Sequence, residues 1–261
     1  MTERPILAVQ LYTLRNVPGS FEAKLSAVAE AGYEAVETVG DHGLDAEALR
    51  AAADRRGLRI VSSHVPLSQL RDDPDGAAAF ARTVGAETLV VPYLPEAERP
   101  IDAGGWRRLG ASLGELGAWY ARHGVRLAYH NHDFELATVD CRLAIDLLLE
   151  AAPAEHLAFE PDLAWIARAG HDPLELLARY QGRCPLVHVK DLAAPGTASD
   201  EGGWAAVGQG VLPWNALLPA ARAAGAEALV VEHDRPAEPE RSVRDSLAFL
   251  WRSMNVASPK R

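Results

Sequence analysis

Cysteine is nearly absent. Cys141 and Cys184 are the only two in 261 residues, and they form no Cys-x-x-Cys pair. That excludes a disulfide-stapled scaffold and a zinc-ribbon or thioredoxin motif, and it fits a reducing cytosol in which both act as small buried hydrophobes. Long hydrophobic runs are missing as well. Met1-Thr2-Glu3-Arg4-Pro5 leads straight into an apolar stretch over 6–11, too short for a signal peptide or a membrane span. A cytoplasmic protein with no membrane partner is expected. Positive charge is in deficit, with 26 Lys and Arg against 36 Asp and Glu and a formal net charge of −10. Polyanion binding depends on Lys and Arg neutralising phosphates, so nucleic acid is not an expected partner, whereas a neutral polyol is indifferent to this field. No Pro/Ser/Gly-rich linker splits the chain, so residues 1–261 are read as one domain.

What is present suits a large core. Hydrophobic residues make up 48% of the chain and charged ones an ordinary 24%, so disorder is expected only at the tail, 257–261. One phrase recurs: a helix-like stretch, a glycine, a few residues, then a short β-rich run. Gly32 precedes 35–37, Gly57 precedes 60–64, Gly85 precedes 89–91, Gly124 precedes 127–130, Gly182 precedes 186–189 and Gly225 precedes 229–232. Glycine just past a helix adopts the left-handed conformation without a Cβ clash, which is why it marks these stops. With 6–11 and 157–160 the strand candidates number eight. Amphipathic segments such as 21–30, 46–55, 106–122, 143–151 and 214–223 lie between them. Strict alternation implies a parallel sheet with helices outside, and the length matches one (β/α)₈ barrel of the TIM type. An open doubly wound sheet would need a nucleotide fingerprint after the first strand, and Gln10-Leu11-Tyr12-Thr13-Leu14-Arg15 contains no glycine.

In such barrels the functional groups sit at the C-terminal strand ends and in the loops that follow. Those places hold Gln10, Glu37, His64, His130, His132, Glu135, Glu160, Asp162, His188, Lys190, Asp191, Glu232, His233 and Asp234, including five of the nine histidines. His233 follows Glu232 and so faces the other way, as a structural group. Glu160 shares a face with Asp162, deeper in the barrel, as a proton-sharing or ion-pair partner. Lys190 alternates with His188, where a salt bridge is as natural as catalysis. Asp162, His188 and Glu232 end three successive strands, so their side chains can meet above the barrel axis. Carboxylates with one imidazole form a mixed N/O set suited to Mn²⁺, Co²⁺, Mg²⁺ or Zn²⁺, and such a cluster without a cation would be costly to bury.

These residues resemble the sugar phosphate isomerase/epimerase superfamily, the xylose isomerase-like TIM barrels. The resemblance runs from Val9-Gln10-Leu11-Tyr12-Thr13 and Ser63-His64-Val65-Pro66 through Tyr129-His130-Asn131-His132-Asp133-Phe134-Glu135 and Asp162-Leu163-Ala164-Trp165 to His188-Val189-Lys190-Asp191, Val207-Gly208-Gln209-Gly210 and Glu232. The His-Asn-His subgroup is similar to inosose dehydratase-like and keto-glycoside-processing members. The resemblance implies one divalent metal held by Glu, Asp, His and Glu, matched by Asp162, His188 and Glu232. For the fourth ligand the choice is Glu135, with His130 at the usual glutamate position as competitor. Trp165 stands where epimerases commonly carry a histidine, which suggests a surface for stacking a sugar ring.

The chemistry so implied is proton removal next to a carbonyl, giving an enediolate that returns as an isomer or epimer; loss of a β-substituent gives dehydration or elimination instead. His132 is the expected general base or acid, Lys190 and Glu37 proton relays or hydrogen-bonders, and His64, His130, Trp165 and Gln10 substrate contacts. The glycine-rich stretch 193–210, with Trp204, reads as a lid. A non-phosphorylated sugar or cyclitol substrate and a homodimer complete the expectation. A catalytically silent sugar-binding barrel is the rival reading; apurinic endonucleases of the same superfamily need a basic DNA-facing groove that an acidic chain does not suggest.

Overall fold

The structure is a computed structural model that describes residues 4–254; the tail 257–261 lies outside them. Eight parallel strands form the barrel: β1 (Ile6–Gln10), β2 (Ala35–Val39), β3 (Arg59–His64), β4 (Thr88–Val91), β5 (Arg126–His130), β6 (Ala158–Glu160), β7 (Leu186–Val189) and β8 (Ala228–Val231). Their order is β6-β5-β4-β3-β2-β1-β8-β7. The seam between β6 and β7 is joined by the bridge of Asp162 with His188, whose N–H donates to the Pro161 carbonyl at 3.0 Å. The expected TIM-type barrel is therefore the observed fold.

Alternation along each strand sorts the side chains. Leu7, Val9, Leu127, Tyr129 and Phe159 face outward into the layer beneath the helices, whereas Ala8, Ala35, Val90, Ala128, Ala158 and Ala228 fill the lumen. Small lumen residues leave room above them, where the same inward row continues as Gln10, Glu37, His130, Glu160 and His188, all buried. One strand needs a correction to this period of two. The β2–β3 register jumps from Val36↔Ile60 to Glu37↔Ser62, leaving Val61 as an extra residue. Val61 packs in the lumen, and the bulge also turns Ser62 inward and so His64. Without it, His64 would point into the helical layer.

Among the described residues, ten helices surround the sheet: α1 (Phe21–Ala31), α2 (Ala46–Asp54), α3 (Leu67–Asp72), α4 (Pro74–Val84), α5 (Ala103–Arg122), α6 (Ala144–Glu150), α7 (Leu163–Arg168), α8 (Pro173–Arg179), α9 (Trp214–Ala223) and α10 (Pro239–Ser253). Side-chain oxygens of Ser20, Asp45, Asp73, Asp102 and Asp172 cap N-termini, and Gly32 and Gly85 end α1 and α4 in the left-handed conformation. The longest helix, α5, carries glycines where backbone approaches it. A Cβ at Gly117 would stand 1.8 Å from the His156 carbonyl oxygen. Gly117→Ala is therefore expected to destabilise by about 1–3 kcal/mol, read as a lower Tm with helical content kept. An unchanged Tm would contradict this close approach.

Among the described residues, two hairpins leave the barrel. In the first, Thr138–Val139 pairs with Arg142–Leu143 through Asp140 and Cys141, both at positive φ (48° and 63°). The expectation of two buried cysteines is thereby corrected: Cys184 is buried, but Cys141 sits exposed on this turn. The second pairs Asp191–Leu192 with Trp204–Ala205. Among the described residues, no helix is long and apolar enough to cross a membrane.

Candidate active site and metal centre

A cavity of about 550 Å³ opens at the C-terminal strand ends. His64, His130, His132, Trp165 and Glu232 line it, joined by Tyr12, Arg15, Tyr93, Trp204, Asp234 and Arg235 at the walls and rim. On its floor, ligand atoms of His130, Asp162, His188 and Glu232 all lie within 4.8 Å of one another. Each is positioned by the fold. Asp162 caps α7 by accepting the N–H groups of Ala164 and Trp165 through Oδ1, both at 2.9 Å, which aims Oδ2 into the cluster. His188 presents Nδ1 to Glu232 at 3.2 Å while Nε2 meets Glu37 Oε1 at 2.8 Å. Asn131 ties two strand ends together, since its Oδ1 accepts the Asp162 N–H at 3.0 Å.

Charge is concentrated here. Glu232 is held well below the ordinary carboxylate range: burial opposes this, but the Lys190 ammonium and His188 outweigh it. His188 is raised well above the ordinary imidazole value, because Glu160 and Glu37 outweigh the opposing effect of burial. Lys190 Nζ lies 3.0 Å from Asp162, 2.8 Å from Glu232 and 2.9 Å from Asp234. Even so, Asp162 Oδ2 receives no aligned hydrogen bond, and neither does His130 Nδ1. Buried carboxylate and imidazole donors that converge with atoms left unserved suit a divalent cation. The donor set fits the expected metal.

Four expected roles change with the geometry. The turn at Phe134–Leu136 carries Glu135 to the outer side of β5, where its carboxylate accepts the Tyr129 hydroxyl at 2.7 Å and the His132 N–H at 2.9 Å. Glu135 thus lies outside the donor cluster, and His130 stands in it beside Asp162, His188 and Glu232. Gln10 does not line the cavity: its amide donates to Glu37 at 2.7 Å and its oxygen accepts the Tyr12 N–H at 3.1 Å. Glu37 lies beneath the floor, held by Gln10, Ser62, His188 and His64, and does not line the cavity. Lys190 is fully buried among its three carboxylates and does not line the cavity.

Glu135 has a consequence for stability. Burial raises its pKa from 4.5 to about 7, against the lowering effect of its Tyr129 and His132 hydrogen bonds. Between those values the unfolded chain has ionised this carboxyl and the folded chain has not, so stability falls as pH rises from about 4.5 to 7. Glu135→Gln removes that loss. The variant is expected to gain no more than about 3 kcal/mol over wild type at pH 8 and nothing at pH 4, measured by urea unfolding in chelator. An equal difference at both pH values would contradict it.

His132 stands in the cavity wall beside Trp165 (ring centroids 5.1 Å apart) and Tyr93 (5.2 Å), and its Nδ1 has no hydrogen-bond partner. Burial, reinforced by Lys190, lowers its pKa to about 3, so the ring is neutral and holds a proton only weakly. Trp165 meets Trp204 edge to face at 4.7 Å, and the Arg168 guanidinium lies 3.4 Å over Trp204. The stretch expected to be a lid is fixed at its far end. The Asp191 carboxylate accepts the N–H groups of Gly208, Gly210 and Leu212 and the Trp214 indole N–H at 2.7 Å. Tyr12, Arg15, Tyr93 and Arg235 are not among the groups that the sequence places at the strand ends, whereas Asp234 is, without a role. Tyr93 had a usable signal, since Pro92-Tyr93 directly follows β4.

Comparison with known proteins agrees with this architecture. The chain is 27% identical over 193 residues to the inosose dehydratase of Clostridium perfringens (strain 13), covering 66% of this chain and 64% of that one. The match thus takes in less than two thirds of that relative. The crystal structure of a sugar phosphate isomerase/epimerase from Parabacteroides distasonis superposes with a TM-score of 0.79 at 20% identity, covering 95% of this chain and 94% of that one. The IolI protein with a bound zinc atom gives 0.74 at 17% identity, covering 96% and 98%. The sequence profile of the xylose isomerase-like TIM barrels matches residues 25–252. A match over that span, on a barrel whose polar strand ends converge at one mouth, makes this chain a member of the xylose isomerase-like TIM barrel family.

Proposed function

We propose that this chain is a divalent-metal-dependent enzyme that removes a proton next to the carbonyl of an inosose or keto-sugar and eliminates the neighbouring hydroxyl as water. The observation that carries the reading is the convergence of His130, Asp162, His188 and Glu232 at the floor of a cavity roomy enough for a sugar ring. A divalent ion held there would polarise the carbonyl and its adjacent hydroxyl and stabilise the negative charge left when the α-proton departs. The chain's own residues supply the rest. His132, in the cavity wall with Nδ1 unpartnered, takes the α-proton and passes it to the departing β-oxygen, so that water leaves and charge balances. Trp165 and Trp204 offer a wall for the apolar face of the ring. Glu37 holds His188 in orientation from below.

The similarity to an inosose dehydratase favours elimination over isomerisation. Product analysis tests the choice. Protein reloaded with Mn²⁺ or Co²⁺ is incubated with inososes and keto-sugars, and products are followed by mass spectrometry and NMR. Loss of water from the substrate supports the proposal. A product of unchanged mass would reassign the enzyme as an isomerase or epimerase, and no turnover of any α-hydroxyketone would sink the reading.

A further inference from the structure

Proton removal next to a carbonyl needs a base at the carbon and the donor cluster at the oxygen, at a fixed separation. Misplacing a reacting group by about 1 Å can cost about 10²-fold in rate. His132 stands beyond the end of β5, on a stretch that belongs to no helix or strand. Its backbone is nevertheless held on both sides, and by side chains. The N–H donates to Glu135 Oε2 at 2.9 Å, and the carbonyl accepts from Asn131 Nδ2 at 3.1 Å.

We propose that Asn131 is a positioning residue, whose side-chain amide sets the distance between His132 and Asp162 at the cavity floor. The role rests on the reading of His132 as the proton-transferring group. Asn131 is fully buried and does not line the cavity, so it acts through its neighbours. Its Oδ1 accepts the Asp162 N–H at 3.0 Å while its Nδ2 meets the His132 carbonyl, so one planar amide spans both residues. Each end of the span is anchored in turn. Asp162 is fixed by its cap on α7, through the N–H groups of Ala164 and Trp165. Glu135, which holds the other side of His132, accepts the buried Tyr129 hydroxyl at 2.7 Å.

Only an amide suits this place. The Asp162 N–H requires an acceptor and the His132 carbonyl requires a donor, so the two partners settle which way the amide faces. Turned over, it would set donor against donor and oxygen against oxygen. Leucine matches its shape but offers neither group, and an ionised aspartate lacks the donor. An asparagine that served only the buried Asp162 N–H would need no donor. Here the donor goes to the residue that carries the base.

A double-mutant cycle tests the role. Full-length, Mn²⁺-loaded wild type, Asn131→Leu, His132→Ala and the double variant are compared for turnover of an inosose and for α-proton exchange in D₂O. Asn131→Leu is expected to lower kcat on the order of 100-fold, with KM and bound metal close to wild type. Added to His132→Ala, it is expected to cost less than about twofold more, because the group it positions is already gone. Asn131→Ala adds no bulk, guards against misfolding of the leucine variant, and is expected to behave in the same way. An equal fall in both backgrounds, or a lower Tm with kcat unchanged, would overturn the proposal. Crystal structures of wild type and Asn131→Leu give a readout free of turnover, in which the His132 ring is expected to shift relative to Asp162 by about 1 Å or more. An unmoved ring would overturn the positioning role. A displaced ring, with no turnover even in wild type, would support it while removing the proposed function alone.

Discussion

Glu232→Ala is expected to remove the mouth metal and with it all measurable turnover, a loss of more than about 100-fold. The carboxylate is the cluster's most accessible member, 6% exposed at the cavity floor, and it meets both His188 and Lys190. Changing residues that merely orient metal ligands typically costs 10–100-fold in affinity or activity, and removing a ligand itself should cost more. The fold should survive, because Lys190 keeps Asp162 and Asp234 as partners. Metal analysis after Mn²⁺ loading, with circular dichroism as control, reads the outcome. Full activity in Glu232→Ala would place the chemistry elsewhere.

His132→Ala is the second large effect. A positioned general base typically contributes about 10²–10⁴ in rate, so kcat should fall by that factor while KM changes little. His132 shares no hydrogen bond with the metal set; its backbone N–H is held by Glu135 and its ring packs against Trp165 and Tyr93. Bound metal should therefore stay at the wild-type level in this variant. That split, chemistry lost with metal kept, separates a proton-transfer role from a ligand role. A parallel loss of metal would make His132 part of the centre.

The barrel was legible because its punctuation is local. Glycines after helices and short aliphatic runs gave all eight strands, since a helix stop and a period of two are written in neighbouring residues. The convergence of Asp162, His188 and Glu232 was legible for the same reason, each standing at or near a strand end. What failed depends on contacts across the fold. Glu135 reads as a ligand from its place in the His-Asn-His motif, but a single 3₁₀ turn hands it to the outward-facing Tyr129 hydroxyl. Gln10 and Glu37 read as cavity residues, yet they bond to each other below the floor, a pairing 27 positions apart in sequence. The bulge at Val61 that turns His64 inward leaves no sequence signature either, because it is set by the pairing with β2. Periodicity places a side chain on a face; it does not say which donor reaches it first.

The most direct measurement of the central claim is hydrogen exchange at the carbon next to the carbonyl. An inosose is incubated in D₂O with metal-loaded protein, with chelator-stripped protein, and with stripped protein reloaded with Mn²⁺, and the α-proton signal is followed by NMR. Exchange or elimination in the loaded and reloaded samples, and none in the stripped one, is the predicted result. Exchange or turnover at the same rate after the metal is removed would contradict a metal-dependent site at the barrel mouth.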